Sequence, residues 1–318
     1  MGAEAEVDAG TERPADRRVL PRRPFGRGVE LLVLGFGGAA LVARWGSPLS
    51  FDERVQLVRH AYERGIRYFD TAGNYLESQR ILGVALQDVR REVFLVTKVE
   101  TTDPAHVRPA VESSLRQLRT DYLDGVLIHG APGLDRMTVS QVMKVHGELA
   151  RLRDKGLLRT IGFSAHSHFD KALTLVESGG FDHCLLAYTS CLRRRAPVRS
   201  QRLASLREAC IARAHRRGMG IAVMNVLARG VLGAFAQHIV PDFRSDRAQR
   251  LPGAAIRRAL SDPRVAVLVI GMRFRYEIDQ NVGAIVSGKP YGEDDRTLLA
   301  DFWTRAVHHP LIARIYPH

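Results

Sequence analysis

The sequence predicts an α/β fold: a (β/α)8 TIM barrel with a disordered N-terminal tail and an extra C-terminal helix. Three observations carry this prediction. From residue 29 onward, short apolar runs alternate with amphipathic stretches of ten to eighteen residues. The apolar runs number eight, in about 260 residues, which is the count an eight-stranded barrel needs. The runs are continuous rather than alternating, as in parallel strands covered on both faces. A doubly wound sheet is the structural rival, but "LGFGGAA" has glycines without the G-x-G-x-x-G pattern of a first dinucleotide-binding turn.

Taken in order, the strands are "LLVLGFGG" (31–38), "IRYFDTA" (66–72), "EVFLVTKVE" (92–100), "LDGVLIHG" (123–130), "RTIGFSA" (159–165), "HCLLAYTS" (183–190), "GIAVMNVL" (220–227) and "VAVLVIGM" (265–272). The helix over 50–65 starts at Ser50, which forms a capping box with Glu53, and stops at Gly65. The next starts at Asp103 as N-cap, with Pro104 at the first helical position. Segments 138–155, 202–217, 253–261 and 275–287 follow the same logic, and "DDRTLLADFWTRAV" is the extra helix. Residues 1–27 are charged and rich in Pro and Gly, which predicts a disordered basic tail. Residues 28–318 are then expected to form a single barrel catalytic domain.

Composition narrows the class. The chain of 318 residues is 45% hydrophobic, as expected of a protein with a real core. No apolar run reaches the roughly 18–20 residues that span a bilayer, and the N-terminal stretch lacks the apolar core of a signal peptide. Three cysteines, Cys184, Cys191 and Cys210, have no metal-ligand spacing, which points to a reduced, cytoplasmic protein without a metal. Net charge is +13, with 5 lysines among 47 basic residues. The arginines are scattered along the chain and no nucleic-acid motif accompanies them, so neither nucleic acid nor membrane is expected as a partner. The sequence does not fix the oligomeric state.

In a barrel, chemistry gathers at the C-terminal ends of the strands. Strand two ends in Asp70, and its loop, "FDTAGNY", carries Tyr75. Strand three ends in Lys98 and strand four in His129. Three successive strands thus aim an acid, a phenol, an amine and an imidazole at one place. Hydride addition to a carbonyl needs a proton for the developing alkoxide, and a tyrosine with an ordinary pKa near 10 is a suitable donor if a cation lowers that value. Lys98 is expected to do so, Asp70 to hold Lys98 charged, and His129 to orient the carbonyl oxygen. Taken singly, each residue also has a structural reading: a helix cap, a packing tyrosine, a buried ion pair.

From about residue 25 to about residue 287 the chain resembles the aldo-keto reductases. "FDTAGNY…LGVAL" is similar to the family's FDTA-x-x-Y…LG-x-AL, and "VFLVTKV", "SLRQLRTDYLDGVLIHG" and "GLLRTIGFSAHS" are similar to its next three strand signatures. The resemblance implies that Asp70, Tyr75, Lys98 and His129 are the catalytic tetrad. It further implies an NAD(P)H-dependent oxidoreductase acting on a small carbonyl or sugar-like substrate. By the same resemblance, the cofactor contacts fall at Ser164, Met224, Asn225, Leu227, Gly271, Met272, Arg273, Glu277, Gln280 and Asn281. "GMR…QN" is similar to the G-x-R…EN form of bacterial members, and Arg273 favours NADP(H). Glu277 stands where an arginine or glutamine is common, so NAD(H) is the second option. The nicotinamide pocket departs from the usual pattern, with Ser164-Ala165, Leu185 and Met224 in place of Ser-Asn, Gln and Tyr. His166 stands either beside that pocket or in a surface loop. The loop "SCLRRRAPVRSQR" is either a receptor for acidic substrates or a solvated charge run. The long loop 228–252 is placed to cover the cofactor. Two other functions fit less well: a dinucleotide-binding regulatory subunit without turnover, and a barrel isomerase or epimerase.

Overall fold

A computed structural model describes residues 19–189 and 198–315. Eight parallel strands close into a barrel: β1 (Leu34–Gly37), β2 (Tyr68–Asp70), β3 (Phe94–Val99), β4 (Leu123–Ile128), β5 (Leu158–Ala165), β6 (His183–Ala187), β7 (Gly220–Met224) and β8 (Val267–Ile270). β8 pairs with β1 through Leu268↔Leu34, which closes the ring. The outer helices are α1 (Phe51–Glu63), α2 (Ser78–Leu86), α3 (Val107–Leu118), α4 (Val139–Asp154), α5 (Phe169–Ser178), α6 (Val198–Arg216), α7 (Leu251–Leu260) and α8 (Arg275–Val286). α9 (Glu293–Ala306) lies beyond the barrel count and packs on α7, where Arg257 makes two bonds, at 2.8 and 2.7 Å, to the buried Asp295.

Each of the eight predicted strands falls on one of these. The Ser50–Glu53 capping box forms at α1, and Asp103 accepts from the Ala105 amide at 3.0 Å ahead of α3. A second capping box, Thr138 with Gln141, opens α4. The expected 1–27 tail extends too far at its C-terminal end. Residues Arg22–Pro24 pair antiparallel with Glu30–Leu32, and this hairpin plugs the bottom of the barrel. Its Phe25 packs against Tyr68, Phe94 and His183 with ring centres 5.4–5.8 Å apart. Arg23 anchors it by donating to the carbonyls of Leu260, Asp262 and Val265. Burial of apolar side chains on an existing floor outweighs the local charge, which composition alone does not reveal. Residues 1–18, Cys191 and the basic stretch as far as residue 197 lie outside the described residues.

The interior is apolar through most of its height, filled by Tyr68, Phe94, Val96, Leu127, Leu185 and Val267 among others. The inward positions of successive strands then turn polar at the upper end, at Asp70, Lys98 and His129. Alternation along a strand places Asp70 two residues above Tyr68, Lys98 above Val96 and His129 above Leu127, all on one face. That polar layer is the roof of the core and the floor of the site. No described helix is long and apolar enough to cross a membrane.

Candidate active site

The structure brings together the four residues expected to carry chemistry. Lys98 Nζ donates to Asp70 Oδ2 at 2.7 Å and to the Thr71 carbonyl at 2.7 Å. It stands 4.7 Å from the centre of the Tyr75 ring. The Tyr75 and His129 rings meet edge-on, with centres 5.8 Å apart. Asp70, Lys98 and His129 are buried, and Tyr75 is half-buried at the rim. Burial raises the Asp70 carboxyl above its ordinary range, against the pull of Lys98 and His129. Burial also works against the Lys98 cation, but Asp70 and the Tyr75 phenol hold it above its ordinary value. At Tyr75 burial wins: the phenol sits above its ordinary value, although Lys98 pulls it downward. The expected lowering is therefore present as a force but not as a net result.

Local sequence explains how Tyr75 is held. After β2, the Gly73 amide donates to the Lys98 carbonyl at 3.3 Å, and the Tyr75 amide donates to the Ala72 carbonyl at 3.0 Å. Leu76 then takes a left-handed conformation, φ 42°, which turns the chain into α2. A side chain at Gly38 would meet the Asp70 carbonyl at 2.5 Å, so that glycine lets β1 and the Tyr75 loop close together. The carboxylate of Glu77 accepts from the Ala43 amide and from the buried Arg54, which stitches the 38–46 loop to the Tyr75 turn. That loop carries Trp45, whose ring meets Tyr75 edge-on at 5.2 Å.

Sequence reasoning missed Glu100, Trp45 and Asn74, and left His166 between two places. Glu100, at the end of β3, lies 3.3 Å from His129 Nδ1 and orients the ring. Asn74 Oδ1 is buried without a hydrogen-bond partner, and so is His166 Nδ1. Burial, reinforced by Arg229, His129 and Lys98, pushes the His166 imidazole down to about 4. His166 is thus a neutral, half-buried member of this cluster rather than a surface loop residue. Asn74 was legible in principle, because it lies within the "FDTAGNY" stretch. Trp45 and Glu100 had no local signal.

The expected cofactor residues fall into three groups. Leu227, Gly271, Glu277, Gln280 and Asn281 line a cavity of about 270 Å³ beside the ends of β7 and β8. Its opposite wall comes from the 228–252 segment, where two single helical turns, Ala236–Ile239 and Ser245–Ala248, face α8. Met224 stands half-buried at the end of β7, and Asn225 follows it with φ 60°. Ser164 accepts from the Gly130 amide at 2.8 Å and keeps its own O–H to donate. Two residues are placed elsewhere. Met272 is fully buried in the packing between barrel and helices. Arg273 lies outside the cavity lining, with Nη2 donating to the Trp45 carbonyl at 3.1 Å. Among the described residues no group of three or more His, Cys, Asp or Glu side chains is placed to hold a metal ion.

The family model described as "Aldo/keto reductase family" matches residues 33–294. This chain belongs to the aldo/keto reductase family. It is an oxidoreductase built on a (β/α)8 barrel, in a family that uses NAD(P)H. A curated relative, L-galactose dehydrogenase of Arabidopsis thaliana, is 26% identical over 300 residues, covering 85% of this chain and 89% of that protein. Solved structures share the fold. An aldo-keto reductase from Bacillus halodurans in its holo form superposes with a TM-score of 0.68 at 22% identity, over 89% of this chain and 96% of that one. One from Brucella melitensis gives 0.64 at 19% identity, over 89% and 98%.

Proposed function

We propose that this aldo/keto reductase transfers hydride between a nicotinamide dinucleotide and an aldehyde, ketone or sugar-like hydroxyl, with Tyr75 as the proton donor. The observation that carries the reading is the contact chain at the barrel mouth: Asp70 on Lys98 at 2.7 Å, and Lys98 4.7 Å from the Tyr75 ring centre. The cavity beside β7 and β8 supports the cofactor, because it is lined by residues expected to hold the adenosine end and walled by the 228–252 segment. A bound dinucleotide supplies or accepts the hydride.

The chain's own residues do the rest. Tyr75 delivers the phenolic proton to the oxygen that gains charge in reduction and takes it back in oxidation. Lys98 makes the phenolate less costly, and Asp70 keeps Lys98 charged in a site that would otherwise expel the charge. Glu100 fixes the His129 ring, which faces the same oxygen edge-on to Tyr75. The unpartnered Asn74 Oδ1 and His166 Nδ1 favour a substrate with hydroxyls, since buried polar atoms gain most from a partner that satisfies them. The half-exposed Trp45 adds an aromatic wall beside Tyr75. A sugar or sugar lactol suits these groups, and the Arabidopsis relative is by its name a dehydrogenase of such a sugar.

Tyr75→Phe tests the reading. The expected result is loss of turnover by about 10²–10⁴-fold, with dinucleotide binding in a fluorescence titration unchanged. Retention of most of the turnover would remove Tyr75 from the mechanism.

A further inference from the structure

The cavity beside β7 and β8 carries a single formal charge, and that charge is negative. Of its lining residues only Glu277 carries a formal charge, and none is a lysine or arginine. The cation expected there, Arg273, is directed to the Trp45 carbonyl. The two amides just ahead of α8, those of Arg273 and of its N-cap Phe274, are already taken. Glu277 Oε2 accepts from the Arg273 amide at 2.5 Å and from the Phe274 amide at 3.2 Å. The chain's own carboxylate thus brings a negative charge to the N-terminal end of α8, beside the place where a phosphate would approach backbone N–H groups.

We infer that Glu277 selects NAD(H) against NADP(H). This rests on the oxidoreductase reading above and reverses the preference that Arg273 alone suggests. Both backbone bonds go to Oε2, which leaves Oε1 to accept from a ribose hydroxyl. A 2′-phosphate in that position meets a carboxylate and has no cation in the lining to offset it. A unit of like charge about 5 Å away, at an effective dielectric near 20, corresponds to on the order of a hundredfold in affinity. The rest of the cavity is built for a neutral nucleoside. Tyr276 is 59% exposed, stacks on Phe274 at 12° between ring planes, and lines the space. Gln280 ties the wall in place by donating to the Gln249 carbonyl at 2.7 Å. Arg275, exposed on the first turn of α8 and outside the lining, is the rival ligand for a 2′-phosphate.

The experiment is a parallel fluorescence titration of the wild-type protein, Glu277→Gln and Arg275→Ala with NADH and NADPH. Glutamine keeps an oxygen to accept the two amide bonds, and circular dichroism verifies folding. The wild type is expected to bind NADH about ten- to a hundredfold tighter than NADPH. Glu277→Gln is expected to hold NADH within a few-fold and to narrow that gap about tenfold or more. Equal or tighter NADPH binding by the wild type overturns the inference, as does a gap unchanged in Glu277→Gln. If the wild type prefers NADPH and Arg275→Ala abolishes that preference, Arg275 holds the phosphate and Glu277 selects nothing. Failure of both dinucleotides to bind overturns the oxidoreductase reading itself, and the inference with it.

Discussion

Replacing the buried pair as a unit, in Lys98→Met/Asp70→Asn, isolates the field that the pair exerts on Tyr75. At an effective dielectric near 20, an ammonium 4.7 Å from the ring centre stabilises the phenolate by about 3.5 kcal/mol. Asp70, bonded to Lys98 at 2.7 Å, opposes this; taken at roughly 7.5 Å from the ring, its effect is about 2.2 kcal/mol. The surplus, about 1.3 kcal/mol, is worth about one pKa unit. Removing both charges is expected to raise the phenol by that amount, above a value that burial has already raised. The assay is the pH dependence of kcat/KM in the oxidation direction, where the phenolate is the base. Below the phenol's pKa the rate follows the phenolate fraction, so the variant should run about tenfold slower at a fixed alkaline pH. Its rising limb should move about one pH unit upward. The neutral pair is not expected to unfold the barrel, because exchanging a whole buried ion pair for uncharged side chains is often tolerated. A folded variant whose limb stays in place would show that Lys98 does not tune Tyr75.

Two further outcomes concern the scaffold. His183 lies buried on the barrel floor with Nδ1 unpartnered, and burial holds it down to about 4. Its folded pKa is below the ordinary value near 6.5, so the unfolded chain takes the proton first. Stability from this group is complete above about pH 6.5 and is lost as pH falls toward 4, by about 3 kcal/mol. Denaturant midpoints at pH 7 and pH 4.5 should differ less in His183→Leu than in the wild type; an equal difference in both would count against this. Gly83, within "LGVAL", faces α3 so closely that an added Cβ would meet the Gln117 carbonyl oxygen at 2.5 Å and Leu118 backbone atoms at 2.8–2.9 Å. Backbone cannot swing aside as a side chain can, so Gly83→Ala should cost about 1–3 kcal/mol and lower Tm by several degrees in a thermal melt. An unchanged Tm would show that the two helices separate freely.

The gathering of Asp70, Lys98 and His129 at the barrel mouth was legible because it depends on two periodicities at once. Alternation along β2, β3 and β4 puts Asp70, Lys98 and His129 on the inward face, and their place at the strand ends puts them at the mouth. Both facts follow from where the apolar runs stop. The cavity beside β7 and β8 was legible on one side only. α8 announces itself through its amphipathic pattern, and Gly271, Glu277, Gln280 and Asn281 line the space. The facing wall has no such pattern, because 228–252 is held by turns rather than by a long helix. Left-handed Asn225, Ala228 and Arg229 set its course, and single-sequence patterns do not flag non-glycine residues in that conformation. The floor hairpin escaped for a related reason: three-residue strands are too short to show alternation, and Phe25 becomes core only once Tyr68, Phe94 and His183 surround it.

Glu277 shows most clearly where sequence and structure part. In the sequence it is an acid at a position that suits a phosphate ligand, opposed by a nearby Arg273, and the two charges seem to compete for one ligand. In the fold they do not compete. Arg273 reaches across to the 38–46 loop and Trp45, on the side of the reacting groups. Glu277 folds back on its own helix and leaves a carboxylate facing the cavity. A charge that the sequence places four residues from its opposite thus acts on a different part of the site. On the proposed mechanism Lys98 belongs to the end where oxygen gains negative charge. On the inferred placement of the dinucleotide, Glu277 belongs to the end where a 2′-phosphate would have to bind. This separation gives the NADH/NADPH ratio and the pH limb of Tyr75 independent structural origins. Glu277→Gln should therefore change the first and leave the second in place.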